Sequence, residues 1–245
     1  MRDYKAEYEG RVSFIRELVR SSGVSGIIFG NSGGKDSALV GILCKAACDN
    51  TVGIIMPCAS QRNYGMDADD GRELADRFGI ETRTVDLTEV RAVLMDELEK
   101  VTVLNNAAIT NLAPRLRMTT LYGIAAAENR LVAGTGNRSE IHMGYFTKWG
   151  DGGSDFNPIA DLTATEVFEF LEYLDAPRSI IDKAPSAGLF EGQTDEAEMG
   201  VTYAAIDNYL TGAAPVSEAD RAVIERYHAR NAHKLRLPPL YGGEN

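Results

Sequence analysis

The stretch from Gly26 to Cys44 limits what this chain can fold into more than any other part of the sequence. It begins with a short apolar run, Ile27 to Phe29, that is typical of a buried strand, and it ends with apolar residues at the spacing of one helix face. The glycines between these two parts let the backbone turn sharply and approach a ligand closely. The helix directs free N–H groups and the positive end of its dipole into that turn, so we expect the turn to bind a phosphate.

Two common phosphate-loop patterns do not fit this turn. The Walker A pattern needs a glycine at Phe29 and a hydroxyl at Asp36, and the Rossmann pattern fails because Ser32 stands two residues after Gly30. What remains is Ser32-Gly-Gly-Lys-Asp-Ser37. The simpler alternative is a glycine turn with Asp36 or Ser32 as a helix cap, but six residues in this order between a strand and a helix favour a phosphate site. A carboxylate in such a site requires a cation, because its own charge repels the ligand.

Composition excludes several classes of protein. The 245 residues carry a net charge of −11 with a pI near 4.8, and this acidic balance argues against a nucleic-acid partner. No apolar run approaches the length of a membrane span, and the charged first residues do not resemble a signal peptide, so we expect no membrane association and a cytoplasmic location. Cys44, Cys48 and Cys58 form no C-x-x-C pair, which indicates neither a disulfide framework nor a zinc ribbon.

Strands alternate with helices along the first half of the chain. Apolar runs predict further strands over 52–56, 81–85 and 130–133. Helical spacing predicts helices over 3–21, 67–78, 86–103, 111–128 with Pro114 in its first turn, 203–210 and 218–228. This order predicts an α/β fold, doubly wound, with a mostly parallel sheet covered by helices on both faces. We expect residues 1–245 to form a single domain, although the length allows two. No acidic residue closes the second strand, which argues against a dinucleotide-binding oxidoreductase.

A second glycine-containing turn, Gly134-Thr-Gly136, follows the predicted fourth strand. Ligands of open α/β sheets bind beyond the carboxyl ends of the strands, so this turn should face the first across one crevice. Glu140 is therefore a candidate second carboxylate for magnesium, or else an ordinary surface glutamate in the first turn of a helix. Residues 142–158 combine aromatic residues, glycines and charges without periodicity, which is more typical of a binding loop than of a connector.

Residues 32–37 resemble the S-G-G-x-D-S loop of the N-type ATP pyrophosphatases, which bind ATP and cut between its α- and β-phosphates. Four further segments, 134–140, 144–155, 157–162 and 185–196, look like those of the NAD synthetase family, in the family's order. The resemblance implies an ammonia-dependent ligase with a Rossmann-like fold. In that reaction the nicotinate carboxylate of deamido-NAD attacks the α-phosphorus of ATP, pyrophosphate leaves, and ammonia displaces AMP to give NAD.

The resemblance also implies roles for individual residues. Asp36 and Glu140 would hold Mg²⁺, and Asp36 and Ser32 would act in catalysis. The residues implied at ATP are Gly30, Asn31, Ser32, Gly33, Gly34, Lys35, Asp36, Ser37, Thr135 and Ser186. The residues implied at deamido-NAD are Arg115, Lys148, Asp155, His233 and Lys234. The family further implies a homodimer with the dinucleotide near the interface, for which the helix over 111–128 is the candidate.

Some questions stay open at the level of sequence. Many relatives carry a lysine where Ala164 stands, and Lys35 or Lys183 would have to compensate for its charge. Residues 182–199 mix proline, glycine and acidic residues, and we expect a flap that closes over the adenylate. Nitrogen would come from free ammonia or from a partner subunit. The alternative functions are another ATP-pyrophosphatase amidotransferase and a non-catalytic ATP-binding module.

Overall fold

The computed structural model describes residues 2–58, 65–183 and 195–242. Its strands are β1 Gly26–Gly30, β2 Thr51–Ile55, β3 Glu81–Thr84 and β4 Arg130–Ala133. Its α-helices are α1 Tyr4–Ser22, α2 Lys35–Ala47, α3 Met66–Phe78, α4 Thr88–Glu99, α5 Asn106–Glu128, α6 Arg138–Met143, α7 Ala164–Tyr173, α8 Arg178–Ile181, α9 Asp195–Met199, α10 Tyr203–Thr211 and α11 Glu218–Asn231. A short 3₁₀ helix, Ala232–Lys234, follows α11.

The four strands form one parallel sheet in the order β3-β2-β1-β4. The chain moves outward from β1 to β2 and β3, and then returns past β1 to β4 through α4 and α5. Right-handed crossovers place the connections of these two directions on opposite faces of the sheet. The prediction of a doubly wound α/β fold is confirmed, and the point where the strand order reverses lies between β1 and β4.

Successive side chains of β1 face two different cores, as strand geometry requires. Ile27 and Phe29 pack in the core formed with α1, α2, α3 and α7, whereas Ile28 packs in the core beneath α5. All three side chains have no exposed surface, which explains why the run reads as continuously apolar. A third apolar cluster joins α6 to α9, α10 and α11. The loop between β1 and α2 therefore follows a strand that is packed between helices on both faces of the sheet.

The predicted strands are all present, with ends that differ by a residue or two from those expected. The predicted helix over 86–103 is shorter, Thr88–Glu99, and α7 was not predicted. The sequence prediction for Pro114 was wrong. Helix α5 begins at Asn106, and Asn105 caps it by accepting a hydrogen bond from the N–H of Ala108 at 2.9 Å, so Pro114 lies inside the helix. The proline removes the helical partner of the Thr110 carbonyl, and both residues line the large cavity described below.

Candidate active site

The loop between β1 and α2 has a shape that depends on glycine. Gly33 has a φ of +69°, in the left-handed region that favours glycine, and a Cβ there would collide with the carbonyl oxygen of Asp67. The loop therefore packs directly on the backbone at the start of α3. No side chain caps α2 at Gly34, so the open end of the helix faces the loop.

Polar side chains fix the loop from within. Asn31 is buried, and its Nδ2 donates to the carbonyl of Gly71 in α3 at 2.8 Å. The hydroxyls of Ser32 and Ser37 lie 3.0 Å apart, and the Ser32 Oγ accepts a hydrogen bond from the N–H of Gly34 at 3.3 Å. The two hydroxyls and the glycine backbone are thus held together at the end of β1, where a phosphate could replace their mutual contacts.

Two carboxylates meet beside this loop. Asp36 lies in the first turn of α2, and its Oδ1 accepts a hydrogen bond from the Nδ2 of Asn137 at 2.9 Å. Asn137 caps α6, where its Oδ1 accepts from the N–H of Glu140 and the Glu140 Oε2 accepts from the N–H of Asn137, each at 3.0 Å. This reciprocal pair is a capping box. One asparagine therefore holds Asp36 and Glu140 on the same side of the crevice.

The electrostatics of this pair are unfavourable without a cation. Burial raises the pKa of Asp36 to about 6, although the hydrogen bond from Asn137 opposes the rise. Burial and then the charge of Asp36 raise the pKa of Glu140 well above its usual value. The charge of Asp195 contributes to both shifts. Burial, followed by the charges of Glu140, Asp195 and Asp36, also raises the pKa of Tyr203, which donates a hydrogen bond to Asp195 at 3.2 Å.

This donor set fits magnesium. Mg²⁺ is held in proteins by one or two carboxylates, with water and substrate phosphates completing its shell. Asp36 and Glu140 supply two carboxylates at a loop that fits phosphate, and the charge of Asp36 raises the pKa of Glu140, a repulsion that a divalent cation would relieve. Within the described ranges there is no cluster of three or more histidine, cysteine, aspartate or glutamate side chains that could hold a metal without a substrate.

A cavity of about 1260 Å³ lies between the loop, the turn after β4 and the start of α7. Ten of the residues expected from sequence at ATP, metal or dinucleotide line it, namely Gly30, Asn31, Ser32, Gly34, Lys35, Asp36, Ser37, Thr135, Glu140 and Lys234. Gly33 belongs to the same loop but packs against the backbone of Asp67 and does not line the cavity. Ser186 lies outside the described residues, as does most of the predicted flap over 182–199. The structure thus brings the described part of the expected ATP site together.

Four of the five residues expected at deamido-NAD, all except Asp155, form a neighbouring group. The Lys148 Nζ donates to the carbonyl of His233 at 2.8 Å, and the Arg115 Nε donates to the carbonyl of Lys148 at 3.4 Å. The Lys234 Nζ donates to the carbonyls of Gly144 and Phe146 at 2.7 and 2.8 Å. Backbone carbonyls therefore occupy donors of these lysines. Arg115, Lys148 and His233 are not among the residues that line the cavity.

Asp155 lies at the edge of the sheet. Its Oδ2 accepts a hydrogen bond from the N–H of Val132 in β4 at 2.7 Å, and its Oδ1 accepts one from the hydroxyl of Tyr122 at 3.1 Å. Its own N–H donates to the Val132 carbonyl at 2.9 Å, and Phe156 bridges to Ala133 in parallel. Tyr122 and Arg115 are seven residues apart on α5 and so lie on one face of that helix. Asp155 and Arg115 consequently share one side of α5.

Sequence reasoning missed several residues of the site. Asn137 was not singled out, although asparagine followed three residues later by glutamate is a readable capping-box signature. The contributions of Asp195 and Tyr203 had no local signal, because they reach the carboxylate pair from elements far along the chain. Among the aromatic residues of the loop over 142–158, Tyr145 and Phe146 line the cavity, whereas Trp149 is exposed.

A glycine-rich loop and a carboxylate pair at the switch point of a parallel sheet define a nucleotide-binding protein of the doubly wound α/β class. Comparison with known proteins is more specific. The family model described as NAD synthase matches residues 7–238. The NH(3)-dependent NAD(+) synthetase of Carboxydothermus hydrogenoformans is 47% identical over 97% of this chain and 98% of its own length. The chain therefore belongs to the NAD synthase family.

Solved structures agree with this membership. A structure of NMN synthetase from Francisella tularensis superposes with a TM-score of 0.93 at 37% identity, covering 99% of this chain and all of the other. An NH3-dependent NAD synthetase from Campylobacter jejuni superposes with a TM-score of 0.79 at 28% identity, covering 98% of this chain and all of the other. The fold thus matches that of relatives over essentially its full length.

Proposed function

We propose that this protein is an ammonia-dependent ligase that forms the amide of a pyridine nucleotide at the expense of ATP. The observation that carries the proposal is the pair Asp36 and Glu140, joined by Asn137 at the phosphate loop and facing the large cavity. The names of the relatives, which are NH(3)-dependent NAD(+) synthetases, supply the reaction class.

The reaction proceeds in two steps. The nicotinate carboxylate of deamido-NAD attacks the α-phosphorus of ATP, which forms an acyl adenylate and breaks the bond to pyrophosphate. Ammonia then attacks the acyl carbon, AMP leaves, and the nitrogen loses a proton to give NAD. Catalysis of the first step consists chiefly of positioning and charge stabilisation rather than proton transfer.

The chain's own residues hold the triphosphate in this mechanism. The hydroxyls of Ser32 and Ser37 and the backbone of Gly33 and Gly34 bind the pyrophosphate portion, and Thr135 contacts ATP from the turn after β4. Asp36 and Glu140 would hold Mg²⁺, which would supply positive charge for the departing pyrophosphate. Lys234, whose ammonium already binds two carbonyls at the cavity wall, orients the pyridine substrate.

Two pyridine nucleotides are candidates for the acid that is converted to the amide. Deamido-NAD is favoured by the curated relatives, which include the 47% identical synthetase. Nicotinate mononucleotide is favoured by the structure of the NMN synthetase from Francisella tularensis, whose TM-score of 0.93 exceeds the 0.79 of the Campylobacter enzyme. We propose deamido-NAD as the main substrate, and a comparison of kcat/KM for the two acids decides between them.

We also propose that the active form is a homodimer of a single-domain chain. Helices α4 and α5 expose apolar side chains on their outer face, with Val90 at 50%, Val93 at 62% and Tyr122 at 38% exposure. Arg115 lies on the same helix as Tyr122, so a second copy covering this face would lie next to the residues proposed for deamido-NAD.

We further propose a cytoplasmic location, since ATP is the co-substrate. In residues 2–58, 65–183 and 195–242, the structure contains no helix with the length and apolar character of a membrane span.

The test of the function is a reconstitution with ATP, Mg²⁺, deamido-NAD and either ammonia or glutamine. We expect NAD, AMP and pyrophosphate in equal amounts with ammonia, and no efficient reaction with glutamine. Efficient use of glutamine by the pure chain would contradict the ammonia reaction. Binding of ATP without release of pyrophosphate would instead support a non-catalytic module, and activity only with a different acid would support another amidotransferase.

A further inference from the structure

The phosphate loop has a cationic neighbour that belongs to the segment after α8. The Lys183 Nζ lies 2.6 Å from the Asp67 Oδ1 and 2.6 Å from the Asp70 Oδ2, both in α3. The same Nζ lies 3.3 Å from the carbonyl oxygen of Gly33 in the loop. The ammonium thus lies between the start of α3 and the loop, and Lys183 lines the large cavity. Its side chain is only 16% exposed, so this ammonium is held in the protein rather than in solvent.

The three contacts differ in strength. A lysine ammonium has three donors, and two of them form short, charge-assisted bonds with Asp67 and Asp70. The third contact, to the neutral carbonyl of Gly33, is the longest. A phosphate oxygen at the loop can therefore replace the Gly33 carbonyl without breaking either ion pair. The two carboxylates keep the ammonium at the loop, and the third donor is available to an anion.

Other donors near the triphosphate are already in use. The N–H groups at the start of α7 bind side chains, since Ala164 donates to Ser139 at 3.2 Å and Thr165 donates to Asp207 at 2.8 Å. That helix terminus therefore offers the phosphates little. The Lys35 Nζ donates to the carbonyl of Lys183, and burial lowers the pKa of Lys35. Lys35 thus anchors the backbone of Lys183, while Lys183 directs its own charge at the loop.

We propose that Lys183 binds the phosphates of ATP directly and stabilises the departing pyrophosphate, as an ATP-contacting residue of this site. This role rests on the proposed function and extends it, because it assigns to Lys183 the charge that neither the α7 terminus nor Ala164 supplies. Loss of pyrophosphate from the α-phosphorus increases negative charge on the leaving oxygens, so a cation there acts on both ATP binding and turnover.

The experiment compares Lys183→Ala, Lys183→Gln and Lys183→Arg with the wild-type chain. The glutamine variant keeps a hydrogen-bond donor without charge, and it serves if the alanine variant leaves Asp67 and Asp70 too poorly paired to fold. We expect kcat/KM for ATP to fall by about ten- to a hundredfold in the uncharged variants, the range of a hydrogen bond to a charged group. The KM for the pyridine acid should stay unchanged, and Lys183→Arg should retain more activity than Lys183→Gln.

Moving the charge provides a sharper test. Ala164 lines the same cavity, so Ala164→Lys places a lysine across from the loop, and Ala164→Met adds similar length without charge. In the Lys183→Gln background we expect Ala164→Lys to restore part of the lost kcat/KM for ATP and Ala164→Met to restore none. Equal effects of the two substitutions would overturn the proposal. Lys45→Ala is the control, because Lys45 bonds to the Asp49 carbonyl at the far end of α2.

The experiments distinguish a wrong role for Lys183 from a wrong overall function. The dissociation constant of ATP, measured by calorimetry with Mg²⁺, requires no turnover. A wild-type chain that releases no pyrophosphate would contradict the function, while weaker ATP binding by Lys183→Gln would still support the phosphate contact. Wild-type activity with unchanged ATP kinetics in Lys183→Gln, or a loss confined to Lys35→Ala, would overturn the role of Lys183 alone.

Discussion

At the scale of single residues, the site is organised by Asn137 rather than by any charged group. Its side chain donates to the Asp36 carboxylate and its backbone N–H donates to the Glu140 carboxylate, so one residue contacts both. An asparagine serves here because its amide has both donors and an acceptor, whereas an aspartate would add a third charge. The cost of the arrangement is electrostatic, since burial and mutual repulsion disfavour two ionised carboxylates in the protein without metal.

This cost leads to a prediction for Asp36→Asn. The pKa of Asp36 is raised to about 6 in the folded protein from an ordinary 3.8, so the folded state binds more protons than the unfolded state between these values. Stability without metal therefore falls as the pH rises through that window, and the loss is complete near neutrality. Asp36→Asn should stabilise the metal-free protein at pH 7 by about 1 to 3 kcal/mol while abolishing pyrophosphate release.

Thermal unfolding with and without Mg²⁺ checks this prediction. Mg²⁺ together with an ATP analogue should raise the Tm of the wild type more than that of Asp36→Asn. The control is Asp49→Asn, because Asp49 has a fully exposed side chain and should change neither quantity. A lower Tm for metal-free Asp36→Asn at pH 7 would contradict the inferred cost of the buried Asp36 charge.

At the scale of elements, α2 shows how the sequence sets the packing beneath the loop. Gly41 lies in the middle of α2, and a Cβ there would lie 2.6 Å from the Phe29 Cζ of β1. The missing side chain lets the helix approach the strand that precedes the loop. Gly10 in α1 is also inside a helix, but a Cβ there would have no atom within 4 Å. The two glycines therefore have the same low helix propensity but differ in how closely their Cα atoms are packed against neighbouring residues.

Substitution by alanine should separate these two contributions. Gly41→Ala should lower the free energy of unfolding by about 1 to 3 kcal/mol, because the overpacked core must shift more than the helix gains. Gly10→Ala should raise it by up to about 1 kcal/mol through helix propensity alone. Urea unfolding of both variants measures the difference, and equal shifts would show that Phe29 adapts without cost.

Elements were predicted from sequence where the signal was local. The strand β1, the loop after it and the start of α2 were predicted correctly from the apolar run Ile27 to Phe29 and the glycine turn that follows. These signals are readable because burial and periodicity act over a few neighbouring residues. The start of α5 was misplaced because its cap, Asn105, lies well before Pro114, and the proline was taken as the stronger signal. The ion pairs of Lys183 with Asp67 and Asp70 join residues more than a hundred positions apart, and no local pattern indicates them.

At the scale of the whole molecule, the two faces of the sheet differ. The face with α1, α2, α3 and α7 contains the larger buried cluster. On the other face, α4 contains no buried residue and exposes Val90 and Val93, and α5 exposes Tyr122. Apolar side chains grouped on adjacent helices are typical of a protein interface. This asymmetry is the structural basis for the proposed dimer.

Val93→Glu tests the dimer. A charge at the centre of a buried contact is costly to desolvate, so sedimentation velocity should detect monomers of the variant at concentrations where the wild type is dimeric. We also expect a higher KM for deamido-NAD with little change in ATP binding, because Arg115 lies along the same surface. Phe14→Glu, at an exposed position of α1 on the other face of the sheet, is the matched control and should remain dimeric. A monomeric wild type would contradict the proposal.

The hydrogen bonds between Asp155 and β4 have a consequence for aggregation. β4 is the outermost strand on its side of the four-stranded sheet, and an unpaired outermost strand can recruit strands from other molecules. Here the Val132 N–H and carbonyl are both taken by Asp155, and the carbonyl of Phe156 takes the N–H of Gly134. The segment that brings Asp155 to the proposed substrate surface therefore also covers the exposed edge of β4. Substitutions that loosen this segment in order to alter substrate specificity should also make the protein more prone to aggregate.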